Sequence, residues 1–306
     1  MKENLSAVLV EHYPFTIEES SFEVRSAICR QFKELLVDLS LPESYSLELR
    51  RSFAIYFIKA ENLFYKEEQG RLEGQAGANL YYHRKEHAIY QATYDAIAVV
   101  RAILRRKDAM SSHLTLDGII AAILGAMYHD SGYVDVDSTD NYAARTPIHV
   151  GVSMETVSKK IDSIGLPSFL NAEKIKTLAK IGIHSTSFPF NNDRRLEMRQ
   201  MILNLDPNMQ AEAHIVRLST QLADLGGQVA RVDYYPNLIK DLRQEINGAT
   251  PGMGENIIGE DHQLAEKCRG FIAFMVEPTV GKIAKAFFRG KDNYYNQRFE
   301  ELIKVA

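Results

Sequence analysis

Apolar residues recur along this chain at helical rather than strand spacing. Over 22–39 the apolar positions Val24, Ile28, Phe32, Leu35 and Leu36 fall three, four or one apart, the spacing of one face of an amphipathic helix. Residues 49–65 predict a second helix. Residues 90–105 predict a third, with Ala92, Ala96, Val99, Val100 and Ile103 turned inward. The run 116–129 is apolar nearly all round, which predicts a central helix capped at its start by Thr115 or Asp117. Further helices are expected at 150–164, 172–183, 194–204, 211–225, 235–246, 261–275 and 280–289. Alternating runs are few, and the lone Asn247-Gly248 pair follows an expected helix instead of joining two β-branched segments. The pattern predicts an all-α multi-helix bundle. Its longest irregular stretches, 131–147 and 247–260, are rich in Gly, Asp, Asn or Pro, and loops of that length often carry function.

Composition narrows the classes. Hydrophobic residues make up 45% and charged residues 25%, the balance of an ordinary globular protein. A net charge of −4 offers no general grip on a nucleic-acid backbone. Cys29 and Cys268 are far apart and no Cys-x-x-Cys occurs, which predicts a reduced compartment and argues against a thiolate zinc site. The N-terminus lacks the apolar core of a secretory signal and no apolar run is long enough to span a membrane, so the expected location is the cytoplasm and no membrane partner is expected.

Three groups of residues could carry chemistry. His83 and His87, in Tyr82-His83-Arg84-Lys85-Glu86-His87-Ala88, are four apart and would share one face of a helix. Arg84, Lys85 and Glu86 between them read as surface residues, so a solvated helix start explains the pair, taken alone, better than a site does. His129-Asp130 ends the apolar run Ala121 to Tyr128. A histidine interacting with the helix dipole accounts for His129, but a carboxylate at a helix C-terminus is unfavourable. Asp224 sits among Val216, Leu218, Leu222 and Leu225, where a buried acid needs a cation or strong donors, although exposure in a last turn would also accommodate it. Imidazole and carboxylate together suit a borderline divalent metal.

The order His, His-Asp, Asp resembles the HD-domain metal-dependent phosphohydrolases, and most closely the catalytic domain of class I cyclic-nucleotide phosphodiesterases. Tyr82-His83 with His87-Ala88 is similar to that family's Tyr-His-Asn-x-x-His-Ala. Ala121-Ala122 leading to His129-Asp130, Ala223-Asp224-Leu225, and Gly270-Phe271-Ile272 followed by Pro278 are similar to its later segments. The resemblance spans roughly residues 80 to 290. It implies that His87, His129, Asp130 and Asp224 bind one divalent metal ion and that Asp130 bridges to a second, as Zn, Mg, Mn or Fe. It implies His83 as the general acid on the leaving oxygen and Phe271 as a nucleobase contact. On this reading residues 71–306 form the catalytic domain and 1–70 an N-terminal helical extension. The substrate the resemblance implies is a small nucleotide or another phosphodiester.

The sequence departs from the family at three places. Tyr133 stands where the family has a further histidine, Arg84 where it has asparagine, and Cys268 where a glutamine holds the base. A thiol cannot make the paired donor–acceptor contact of an amide. His184 and His149, each after an apolar residue at a loop–helix border, could hold a second metal, as extra histidines do in HD-GYP-type proteins, or support the first site, and a hydrogen-bonded structural histidine explains each at least as well. Two alternatives remain open: hydrolysis of another nucleotide or a cyclic dinucleotide, and a catalytically weak metal or ligand sensor.

Overall fold

A computed structural model of the chain describes residues 19–72, 83–105, 107, 109–134, 148–187 and 192–225. Every regular element among them is helical. In order they are α1 (Glu19–Asp38), α2 (Glu43–Leu72), α3 (Ala92–Arg105), α4 (Ala109–His113), α5 (Leu116–Tyr128), α6 (His149–Ile164), α7 (Ala172–His184), α8 (Asn192–Leu203) and α9 (Pro207–Leu225). A π-helical turn, Glu86–Gln91, leads into α3, and a 3-10 turn, Ser131–Tyr133, follows α5. The protein is an all-α multi-helix bundle. The helices expected at 235–246, 261–275 and 280–289 lie outside the described residues.

Helix α5 is the hub, as its all-round apolarity predicts. Every residue from Gly118 to Tyr128 is buried, and the helix packs against α3, α6, α7 and α9. Gly182 of α7 approaches α9 so closely that an added Cβ would collide with the Thr220 hydroxyl. The five residues expected to face inward on α3 are all fully buried. At about 1.5–3 kcal/mol for each large apolar side chain, such burial is what holds the bundle against chain entropy.

Polar contacts fix the start of α5. Thr115 caps it, accepting a hydrogen bond from the Gly118 amide at 3.4 Å. The buried carboxylate of Glu212 on α9 accepts from the Thr115 amide at 2.9 Å and its hydroxyl at 2.5 Å, and pairs with Lys174 of α7 at 2.8 Å. Asp117 instead serves the start of α7, accepting from the amide of its N-cap Asn171 at 3.1 Å.

Helices α1 and α2 belong to the same apolar core as the rest. Arg101 of α3 reaches Glu34 and Asp38 of α1 at 2.7 and 2.8 Å. The Tyr128 hydroxyl donates to the Tyr56 carbonyl at 2.9 Å, and the Tyr56 hydroxyl donates to the Gly165 carbonyl at 3.0 Å. Helices α1 and α2 thus share the core with the later helices, and α2 runs through position 70. No helix among the described residues is long and apolar enough to cross a membrane.

Candidate metal centre

Three places in the chain supply the centre, and each has a local reason for its shape. His87 lies in the π-helical turn. An extra residue per turn widens the coil there, and such insertions are frequent at functional sites. His83 and His87 are not on one regular α-helix, as their spacing alone suggests. His83 sits in a bend ahead of the π turn, with its ring centroid 5.7 Å from that of His87. Arg84, Lys85 and Glu86 are half-buried, not solvated.

His129 and Asp130 follow the end of α5. The side chains here satisfy carbonyls that the helix end would leave unpaired: His129 Nδ1 lies 2.7 Å from the Ala126 carbonyl, and the Ser131 hydroxyl donates to Tyr128 at 2.8 Å. The helix-end role of His129 therefore uses Nδ1 alone. With Nδ1–H donating, Nε2 keeps its lone pair in the neutral ring and points into the centre. Asp130 adopts φ −102°, ψ 4°, the bridge region common among site residues. The third place is the last turn of α9, where Ala223 is buried and Asp224 is partly exposed.

These elements bring four donors together. His87 Nε2 lies 3.3 Å from Asp130 Oδ2 and 3.6 Å from Asp224 Oδ1. His129 Nε2 lies 3.0 and 3.4 Å from the same two oxygens. Ligands about 2.1 Å from one ion stand roughly 3.0 Å apart in an octahedron and 3.4 Å apart in a tetrahedron. His129 Nε2 and Asp130 Oδ2 are buried, and neither makes a hydrogen bond of good geometry. A cation between them would satisfy both. Two nitrogen and two carboxylate donors suit Zn, Mn or Fe, and with added waters Mg.

Electrostatics points the same way. Burial would lower the pKa of the His129 imidazole, yet Asp130 and Asp224 together raise it well above its ordinary range. Burial would raise Asp130, but His129, His83 and His87 hold it well below the usual carboxylate range. Asp224 is likewise lowered: His129 and His87 outweigh both its burial and the repulsion of Asp130. The carboxylates thus demand positive charge at the middle of the cluster. A divalent ion meets that demand and displaces the imidazole proton on binding.

Around the four donors lie other residues picked out from the sequence. His83, His87 and Asp130 form a second group whose ligand atoms all lie within 4.8 Å of one another. Tyr133 is buried between two imidazoles, 4.4 Å from the His83 ring and stacked at 4.2 Å and 16° on His149. His149 packs on the face of Tyr133, and Tyr133 in turn lies against His83. His184 turns to α8, with Nε2 3.2 Å from Glu197 Oε2. Neither His149 nor His184 joins a group of metal-ligating atoms among the described residues. Cys268 and Phe271 lie outside the described residues.

Gln91, in the same π turn as His87, was not singled out by sequence reasoning. Its Oε1 lies 2.8 Å from His87 Nδ1, while its Nε2 donates to Asp95 Oδ2 and to the Ala223 carbonyl, both at 2.7 Å. The only signal was a polar residue four places after His87, at the head of an amphipathic helix. No model of a known protein family matches the chain, and no curated protein matches its sequence.

Proposed function

We propose that this chain is a metal-dependent phosphohydrolase of the HD superfamily, cleaving a phosphodiester bond in a nucleotide. The observation that supports this is the convergence of two imidazoles on two carboxylates: Nε2 of His87 and of His129 each lies 3.0–3.6 Å from an oxygen of both Asp130 and Asp224. They are the residues for which the family resemblance implies a shared ion. A bound divalent metal supplies a water acidified toward neutral pH and offsets charge on the phosphoryl oxygens. The chain's own part is to hold the two imidazoles and two carboxylates in place and to keep one side open at Asp224, whose side chain is 24% exposed. His83, half-buried beside Asp130 and Tyr133, is the proton donor to the departing alkoxide. A cytoplasmic location, and a small-molecule substrate instead of nucleic acid, belong to this reading.

Cyclic mononucleotides are one substrate class. Cys268 in place of the base-holding glutamine favours another nucleotide or a cyclic dinucleotide. Tyr133 supports a further reading, a metal or ligand sensor of weak activity, because its ring fills the space between His83 and His149 that a metal-binding histidine would otherwise serve.

The test is metal analysis of the purified chain, with turnover assays on cyclic AMP, cyclic GMP, a cyclic dinucleotide and bis-p-nitrophenyl phosphate. Each assay is run with Mg, Mn, Zn or Fe(II). Metal-dependent turnover that disappears in His129→Ala and Asp130→Ala is expected. Bound metal without turnover selects the sensor. Absence of both metal and turnover overturns the proposal.

A further inference from the structure

We infer that Gln91 is a positioning residue that sets which nitrogen of His87 faces the metal centre. The inference rests on the metal-binding reading above. The argument is one of donors and acceptors. An amide side chain has one oxygen that accepts and one nitrogen that donates. The neighbours of Gln91 decide which end is which: Asp95 Oδ2 and the Ala223 carbonyl can only accept, and both lie 2.7 Å from Gln91 Nε2. The amide nitrogen must face them, because the reversed amide would set its oxygen against two other oxygens.

The Gln91 oxygen is thereby directed at His87 Nδ1, 2.8 Å away. An oxygen acceptor at that distance requires Nδ1 to carry the proton. In the neutral ring this leaves the lone pair on Nε2, the atom that faces Asp130 and Asp224. His87 and Gln91 are both buried, so water does not compete for these contacts. His129 reaches the same tautomer by a different route, through the Ala126 carbonyl. Both imidazoles of the centre are thus set to offer Nε2. Gln91 does a second thing as well. By gripping the carbonyl of Ala223, it ties the turn that bears His87 to the residue just before Asp224. One amide fixes the relative placement of two ligands from different helices.

Partners of this kind on metal-bound histidines are worth about 10–100-fold in metal affinity when removed. The test uses the full chain, stripped of metal, with nitrogen-15-labelled histidine. Imidazole spectra recorded where the ring is neutral should show His87 with its proton on Nδ1. Gln91→Met, close in volume but without a hydrogen-bonding amide, should populate the other tautomer and weaken Zn or Mn binding by about 10–100-fold. A wild-type His87 carrying its proton on Nε2 overturns the inference, even if the methionine variant fails to fold. An unchanged tautomer and unchanged metal affinity in a folded Gln91→Met protein overturn it too. If the wild type shows the Nδ1–H tautomer but binds no metal, the positioning of His87 stands and the metal reading falls.

Discussion

His87 and Asp224 come from the turn before α3 and the last turn of α9, yet Nε2 and Oδ1 stand 3.6 Å apart. That is too long for a good N–H···O hydrogen bond and suits two donors to one cation. Asp224→Asn keeps the shape and removes a charged donor. It should weaken metal binding by at least the ~10–100-fold lost with a supporting residue. Competition with a chromophoric chelator measures this, and unchanged affinity would remove Asp224 from the ligand set.

Gly132 bears on the same region by shape alone. It lies in the 3-10 turn after Asp130, where an added Cβ would run into the carbonyl of His149. Its amide donates to the Ser153 hydroxyl at 2.8 Å, so the turn is pinned to α6 and cannot easily withdraw. Gly132→Ala should cost about 1–3 kcal/mol in urea unfolding. It should also loosen the Tyr133–His149 stack, which tyrosine fluorescence would report.

The outline of this site was legible in the sequence because its ligands are chemically unusual for where they sit. An aspartate after a run of buried apolar residues, and another inside an apolar stripe, have few structural explanations. The helices were legible for the same reason: α3 and α5 bury the residues that apolar spacing marks. What spacing could not show was the π-helical turn, since one inserted residue barely disturbs a short pattern. Gln91 stayed hidden because its partners, Asp95 and the Ala223 carbonyl, meet it only through folding. His184 looked like His87 in sequence, an imidazole after an apolar residue. Its position on α7 aims it at Glu197 instead.

His184 should make stability depend on pH. Burial pushes its imidazole below the ordinary value of 6.5, outweighing the pull of Glu197 in the other direction. The folded chain therefore holds His184 neutral in a range where the unfolded chain has begun to bind a proton. Its contribution is present above about pH 6.5 and is lost as pH falls through the lower folded value. Comparing urea midpoints at about pH 7.5 and 5, His184→Gln should lose less stability than wild type. An identical loss in both would show that the sensitivity lies elsewhere.

Glu212 offers a larger effect away from the centre. Its buried carboxylate accepts from Thr115 twice and pairs with Lys174, joining the start of α5 to α7 and α9. Removing one partner of a buried pair typically costs about 3–5 kcal/mol, and Lys174 is partly exposed, which places Glu212→Ala near the lower end. Adding Lys174→Ala should recover part of the loss, because the single variant leaves Lys174 with the more distant Asp117 carboxylate, at 3.7 Å, in place of Glu212. Purely additive losses in the double-mutant cycle would mean that the pair is uncoupled.

The sharpest question about the chemistry is whether His83 gives a proton or binds the ion. Its ring nitrogens come within ligand reach of His87 and Asp130, so geometry permits both. The two roles separate by leaving group. An alkoxide leaves badly unless protonated, whereas p-nitrophenolate leaves without help. A general acid contributes about 10²–10⁴-fold where a proton is needed. His83→Ala should therefore lower kcat by that range on a nucleotide phosphodiester and far less on bis-p-nitrophenyl phosphate, with metal content unchanged. Equal losses on both substrates, together with lost metal, would make His83 a ligand instead. Tyr133 sharpens the distinction, because its ring packs 4.4 Å from that of His83. Tyr133→Phe keeps that packing and should leave the leaving-group dependence intact. If Tyr133→Phe instead reproduces the His83→Ala pattern, the phenol hydroxyl takes part in delivering the proton.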